Sequence, residues 1–338
     1  MKRIISLTVL VSFLLGCQQL EVKEPESTPP VDEEVVIQKL NVSEEEFRFV
    51  AGWLDDQTIG FVVHQDGEDH LQTFNIKTGE TETLYTDTAI ISEVLIHPSK
   101  QQFLVKTADD STEANIIMFT SDAQVLDELV VESTELEINW NPVDPSKLLL
   151  SAFADDWSYQ MYFYDGKEQA VTPITLTDPF PQWLGEEDVV YIEDTALVKE
   201  SLETNEKIIL AREANQFHAA STHLLLEVFE DETTYYKVLD VQGEEKFSWL
   251  SEDPTQLAIN VEMMNNNNII MLTMNQSSAT PTAFLRHLKN GEEVHQYEVN
   301  MDAGLLSCAS AKRCLMGKRL ETLIELETGE MVEWLISE

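Results

Sequence analysis

An all-β chain built from a four-stranded unit repeated about seven times, a β-propeller, is what this sequence predicts, on three observations. One kind of polar turn returns at a regular interval. A run of consecutive apolar residues precedes each turn by about 20 to 25 residues. No stretch carries a sustained helical period with caps, so helices should be few.

The turn is Lys77-Thr78-Gly79-Glu80, then Thr120-Ser121-Asp122-Ala123, Tyr164-Asp165-Gly166-Lys167, Glu203-Thr204-Asn205-Glu206, Val241-Gln242-Gly243-Glu244, Lys289-Asn290-Gly291-Glu292 and Glu327-Thr328-Gly329-Glu330. The mean spacing is about 42 residues, the interval of propeller blades. Gly, Asn and Asp suit a tight connection between strands because its central positions take φ > 0.

The apolar runs are Thr58 to Val63, Gln102 to Val105, Lys147 to Leu150, Asp188 to Ile192, His223 to Leu226, Asn268 to Leu272 and, weakest, Arg313 to Met316. They do not alternate with polar residues. A strand apolar at consecutive positions is buried on both faces, as the inner strands of radially stacked sheets must be. The first repeat writes out the whole unit: Phe47 to Trp53, Thr58 to His64, His70 to Lys77 and Glu80 to Tyr85. Later repeats begin near Glu93, Leu136, Pro181, Gln216, Ala258 and Gly304. A sandwich would not return one turn type at a blade-length interval. Residues 35–338 therefore read as one propeller domain of seven four-stranded blades. Val35 to Leu40 looks like a strand that could serve as the outer strand fastening the last blade to the N-terminus.

Ahead of this domain stand Lys2, Arg3 and the apolar run Ile4 to Phe13, which is too short to span a bilayer as a permanent helix. Leu14-Leu15-Gly16-Cys17 resembles the bacterial lipobox. That resemblance implies a signal peptide over residues 1–16, diacylglycerol on Cys17 and a protein anchored on the extracytoplasmic face of the cell membrane. An ordinary secretory signal with an incidental cysteine is the alternative. Residues 17–34, with Pro29-Pro30 before Asp32-Glu33-Glu34, lack an apolar period and read as an acidic tether reaching roughly 25–30 Å.

The chain has 62 acidic against 21 basic residues among 338, a net charge of −41. Such a surface repels nucleic acid and anionic lipid, which excludes nucleic-acid binding, and it attracts cations or basic partners. Solvation in a salty medium is the plainer explanation of the charge.

The lipobox, the acidic Pro-containing tether, Trp53-Leu54-Asp55-Asp56 with Ile59-Gly60-Phe61, and the blade repeats together resemble the YqgU-like lipoproteins of Bacillus-type bacteria. The resemblance covers essentially the whole mature chain. It implies a six-bladed propeller without a settled biochemical function, so six blades is the alternative to the seven repeats counted.

No G-x-S-x-G elbow, H-E-x-x-H motif, P-loop or Gly-rich dinucleotide turn occurs. Propeller enzymes assemble their sites from several blades, so no contiguous motif is required. The turns between second and third strands are acidic: Asp66, Glu68 and Asp69; Asp109 and Asp110 with Glu113; Asp155 and Asp156; Glu193 and Asp194; and Glu230, Asp231 and Glu232. All such turns emerge on one face, where they could hold Ca²⁺ or meet a basic partner, or simply be solvated. His64 and His70 flank the first tip without further metal ligands in sequence. Cys308 and Cys314 could bridge across the hairpin of the last repeat or lie as two buried thiols. The leading reading is a non-catalytic binding module for an envelope protein or wall component. A hydrolase or lyase acting on a wall or sugar substrate in the central channel, and a solute-binding or sensing lipoprotein, are the alternatives.

Overall fold

A computed structural model describes residues 36–108, 112–230, 233–251, 256–275, 282–300 and 304–337. Its strands form seven four-stranded sheets, each drawn from consecutive strands of the chain and antiparallel throughout. Blade 1 comprises Phe47–Trp53, Thr58–Gln65, Glu68–Asn75 and Thr81–Asp87; blade 2, Ile90–Ile96, Gln102–Ala108, Glu113–Thr120 and Val125–Glu132. Blade 3 comprises Glu135–Trp140, Lys147–Phe153, Tyr159–Asp165 and Ala170–Ile174; blade 4, Gln182–Leu184, Asp188–Glu193, Ala196–Ser201 and Lys207–Ala211. Blade 5 comprises Ala214–Ala219, His223–Glu230, Thr233–Asp240 and Glu245–Leu250; blade 6, Gln256–Met264, Asn268–Asn275, Thr282–Lys289 and Glu292–Val299. Blade 7 comprises Leu305–Ser310, Arg313–Gly317, Thr322–Glu325 and Met331–Glu333. The helical residues among those described are a single 3-10 turn, Asn265–Asn267.

The second strand of each blade is the most buried, because neighbouring blades cover both its faces. This is why Leu148, Leu149 and Leu150 are apolar in succession. Each such side chain contributes roughly 1.5–3 kcal/mol on leaving water. The fourth strands form the outer rim and are largely exposed.

First strands of neighbouring blades touch around the axis, and the first strand of blade 1 touches that of blade 7, which closes the ring. One side-chain device recurs across these joints. The Trp183 indole N–H donates to Asn139 O of the preceding blade at 3.0 Å, and Trp53 donates to Ser307 O of blade 7 at the same distance. Blade 7 thus stands to blade 1 as blade 3 stands to blade 4.

The N-terminal strand does not complete the last blade. That blade already has its own outer strand, Met331–Glu333, and the N-terminal strand, Leu40–Val42, instead pairs in parallel with Leu335–Ser337. Between them Trp334 is fully buried. Its indole donates to Leu320 O at 2.7 Å, its ring stacks on Phe74 at 5.7 Å, and its carbonyl accepts from Leu40 N–H. A short parallel sheet outside the blades and a shared hydrophobic cluster, rather than a blade completed by the N-terminus, join the two ends of the chain.

Strand direction sorts the connections onto two faces. Turns between second and third strands and the links between blades lie on what we call the upper face. Turns between first and second and between third and fourth strands lie on the lower face.

Candidate functional site

Large apolar side chains are exposed unequally on the two faces. On the upper face Ile90, Trp157, Tyr159, Phe180, Phe229, Leu250, Leu257, Ile259 and Leu305 stand open, whereas the lower-face connections expose Val143. Most of the others lie on the outer rim. Scattered apolar exposure is normal, but a contiguous aromatic group is not.

Such a group occupies the upper end of blade 3. The second strand ends in Phe153, the turn Ala154 to Ser158 follows, and the third strand begins with Tyr159. Phe153 is buried and acts as the hub: Phe180, from the link to blade 4, stacks on it at 5.6 Å, Tyr159 tilts against it at 5.9 Å, and Trp157 meets it edge-on at 6.3 Å. Trp157 is 77% exposed and Phe180 57%. Trp157 also has φ +64°, a left-handed conformation that L-residues with bulky side chains rarely adopt. The turn holds it there, with Trp157 N–H donating to Ala154 O, Ala154 N–H to Ser158 O, and Ser158 N–H and Oγ–H to the Asp156 carboxylate.

A cleft opens on each side of this aromatic group. Toward blade 2, one of about 640 Å³ is lined by Glu132, Ser133, Thr134, Phe153 to Asp156, Tyr159 and Tyr162 among others. Toward blade 4, one of about 340 Å³ is lined by Glu137, Asn139, Trp140, Ser151, Phe180, Gln182 and Trp183 among others. The second is stitched from both sides: Asn139 Nδ2 donates to Pro181 O, Ser151 Oγ to Pro179 O, and Gln182 Oε1 accepts from Ala219 N–H. Burial, reinforced by the neighbouring Glu93, pushes the Glu137 carboxyl above its ordinary range. Hydrogen bonds from Ser158 hold Asp156 below it.

Among the described residues, the acidic positions singled out by sequence do not converge on one site. Cys17, Asp109, Asp110 and Asp231 lie outside the described residues. Asp66 is exposed in a two-residue turn with Gly67, both at positive φ, and Glu68 is partly buried beside it. Asp69 is a correction. It is no solvent-facing tip but is 2% exposed, and its carboxylate takes the His64 Nδ1 contact at 2.6 Å, the Ile91 N–H at 3.0 Å and Arg48 Nε at 3.5 Å. His64 pairs in register with Asp69, and His70 pairs with Val63, which puts the two histidines on opposite faces of the blade. His70 contacts Thr86 Oγ1 and Gln65 O instead. Asp155 accepts from Thr134 Oγ1 at 2.8 Å. Among the described residues no three of His, Cys, Asp or Glu converge on a metal site. Cys308 and Cys314 face each other in register across the first hairpin of blade 7, with their sulfurs bonded at 1.98 Å.

Lys100 and Glu262, from distant blades, feel each other's charge. Lys100 of blade 2 donates to Trp53 O at 2.8 Å and faces the field of Glu262 of blade 6. Burial pushes Glu262 up to about 7, against the opposing pull of Lys100 and of the Cys308 N–H. Burial likewise lowers Lys100.

Sequence reading passed over Trp157, Tyr159 and Phe180. The available signal was a tryptophan inside the turn sequence Asp155-Asp156-Trp157-Ser158, where a small or polar residue is the rule.

A profile described as a YqgU-like 6-bladed beta propeller domain matches residues 75–288. An uncharacterised lipoprotein of Bacillus subtilis (strain 168), YqgU, is 25% identical over 192 residues, which are 56% of this chain and 53% of the relative. The match thus spans about half the relative's length. Among solved structures, an uncharacterised protein of Listeria monocytogenes EGD-e superposes with a TM-score of 0.74 at 18% identity, over 89% of this chain and 98% of that one. A prolyl endopeptidase superposes with a TM-score of 0.57 at 13% identity, over 86% of this chain and 50% of that one. At such identities these likenesses show the fold alone. The matched profile names six blades; the chain has seven.

Proposed function

Because the chain belongs to the YqgU-like β-propeller family, in which a relative is a lipoprotein of uncharacterised function, we propose that it is a lipid-anchored, extracytoplasmic binding module. In this reading Cys17 carries the anchor, and the partner, an envelope protein or wall component, sits on the upper face of blades 3 and 4. The observation that carries it is Trp157, the most exposed large apolar side chain among those described, held at positive φ beside Phe180 and Tyr159. A bulky residue in a sparsely populated backbone region costs on the order of 1–3 kcal/mol, and such strain gathers at functional sites. Tryptophan and tyrosine are also the side chains that dominate binding energy in protein interfaces.

The first residues described pack against the opposite face, where Gln38 N–H donates to Ile76 O beside the Gly79 turn.

A photo-crosslinking amino acid placed at position 157, and separately at position 222 on the lower face, tests the reading in growing cells. A discrete adduct from position 157, lost when Phe180→Ala is added, is expected, and none from position 222. Adducts from position 222 alone would overturn it. A hydrolase or lyase in the channel has one observation in its favour, the convergence of Glu262 and Lys100 from opposite sides of the ring. The exposed aromatic group on the upper face, with the clefts that flank it, supports the binding reading more directly.

A further inference from the structure

Resting on that upper-face reading, we infer that the occupant is a basic, extended peptide segment of a partner protein, laid in the cleft between blades 2 and 3. The lining of this cleft is chemically one-sided. Three carboxylates, Glu132, Asp155 and Asp156, share it with the rings of Phe153, Tyr159 and Tyr162, and among the described residues its lining contains no Lys, Arg or His. Asp155 is engaged by Thr134 and Asp156 by Ser158, so the bonds they make leave both charges uncompensated. The hydrogen bonds from Ser158 also keep Asp156 ionised well below neutral pH.

Rings beside carboxylates are what an arginine or lysine side chain requires. The cation lies over a ring face while the carboxylate takes its N–H donors, and the aliphatic stem covers the remaining apolar surface. The cleft volume of about 640 Å³ falls within the usual size of ligand sites. Beyond the cleft, a chain with 62 acidic and 21 basic residues draws basic segments toward itself and rejects acidic ones. A neutral glycan would gain nothing from this field, which decides between the two occupants an aromatic cleft can take.

The test is a titration of the detergent-solubilised full-length protein, followed through Trp157 fluorescence with Trp157→Phe as the spectroscopic control. The probes are a short Lys/Arg-Leu peptide, counterparts of equal length carrying Gln or Glu in place of the basic residues, and a neutral β-linked oligosaccharide. The basic peptide is expected to bind, and the Gln and Glu peptides and the sugar to give no saturable signal. Asp155→Asn with Asp156→Asn should weaken binding about tenfold, or about 1.4 kcal/mol. Glu132→Gln and Tyr159→Ala are second variants, each accepted only if it melts within a few degrees of the parent. General attraction to a polyanion would leave all these affinities within about twofold of the parent, since the net charge scarcely changes, and would overturn the inference. Saturable binding of the sugar or the Gln peptide would overturn the basic-peptide inference while sustaining the upper-face reading. Loss of the position-157 adduct in cells would overturn that reading itself.

Discussion

At the seam between blades 7 and 1, Trp334 and Phe74 stack inside a core that excludes water, whereas on the upper face of blades 3 and 4 Trp157 and Phe180 stand open to it. Both regions gather aromatic rings from separate stretches of chain, at the seam directly and on the upper face around Phe153. The seam satisfies every polar atom of its tryptophan: the indole donates to Leu320 O, the backbone N–H to Glu321 O, and the carbonyl accepts from Leu40. The upper-face tryptophan has ordinary turn bonds along its backbone, an exposed ring and a strained φ. The difference teaches where the molecule places aromatic residues for its own cohesion and where it places them for something else.

Substitution should separate the two regions in size of effect. Trp334→Ala opens a cavity at the closure and is expected to cost about 3–5 kcal/mol, with the loss read as a lower midpoint in urea. A change below about 1 kcal/mol would show that the seam does not hold the ring.

A second effect, next in size, sharpens the contrast at the neighbouring joint between blades 6 and 7, where Glu262 accepts from the Cys308 N–H. Its carboxyl sits at about 7 when folded, above its unfolded value of 4.5, so the folded state binds the extra proton between these values. Stability from this group is therefore full below about pH 4.5 and is lost as pH rises through 7, by on the order of 3 kcal/mol. Glu262→Gln should flatten that part of the pH–stability profile. An unchanged profile would contradict the burial of the charge.

Smaller again is the bridge between Cys308 and Cys314, which closes a short loop and is expected to contribute about 2 kcal/mol in the chain-entropy model. Melting with and without reductant measures it, and identical curves would count against the bridge. Least of all is the effect at the exposed aromatic group. Trp157→Gly relieves positive φ and should leave stability unchanged or raise it by up to about 1 kcal/mol, while removing capture of the partner. A destabilisation as large as that of Trp334→Ala would make Trp157 a core residue and end the comparison.

Much of the fold was legible from the chain. Consecutive apolar residues such as Leu148-Leu149-Leu150 mark strands covered on both faces, and the spaced Gly, Asn and Asp turns count the blades. The closure was not legible. Met331–Glu333 and Leu335–Ser337 are too short to show a period, and nothing in Leu40–Val42 says that its partner is parallel and almost the whole chain away. The site was legible only in its charges. Asp69 looked like the acidic residues around it because burial behind His64 and Arg48 is a tertiary fact. Trp157 was hidden by a local rule, since turns are read for their polar residues and an aromatic one among them registers as an exception without an address.

Amide hydrogen exchange on the protein in native membranes, compared with the same protein purified, tests the central claim most directly, because it needs no knowledge of the partner. Protection gained at 154–159 and 175–181, with none gained at 220–222 or 241–244 on the opposite face, is the predicted result. Protection confined to the lower face, or equal exchange in both preparations, would contradict the assignment of the aromatic face as the binding surface.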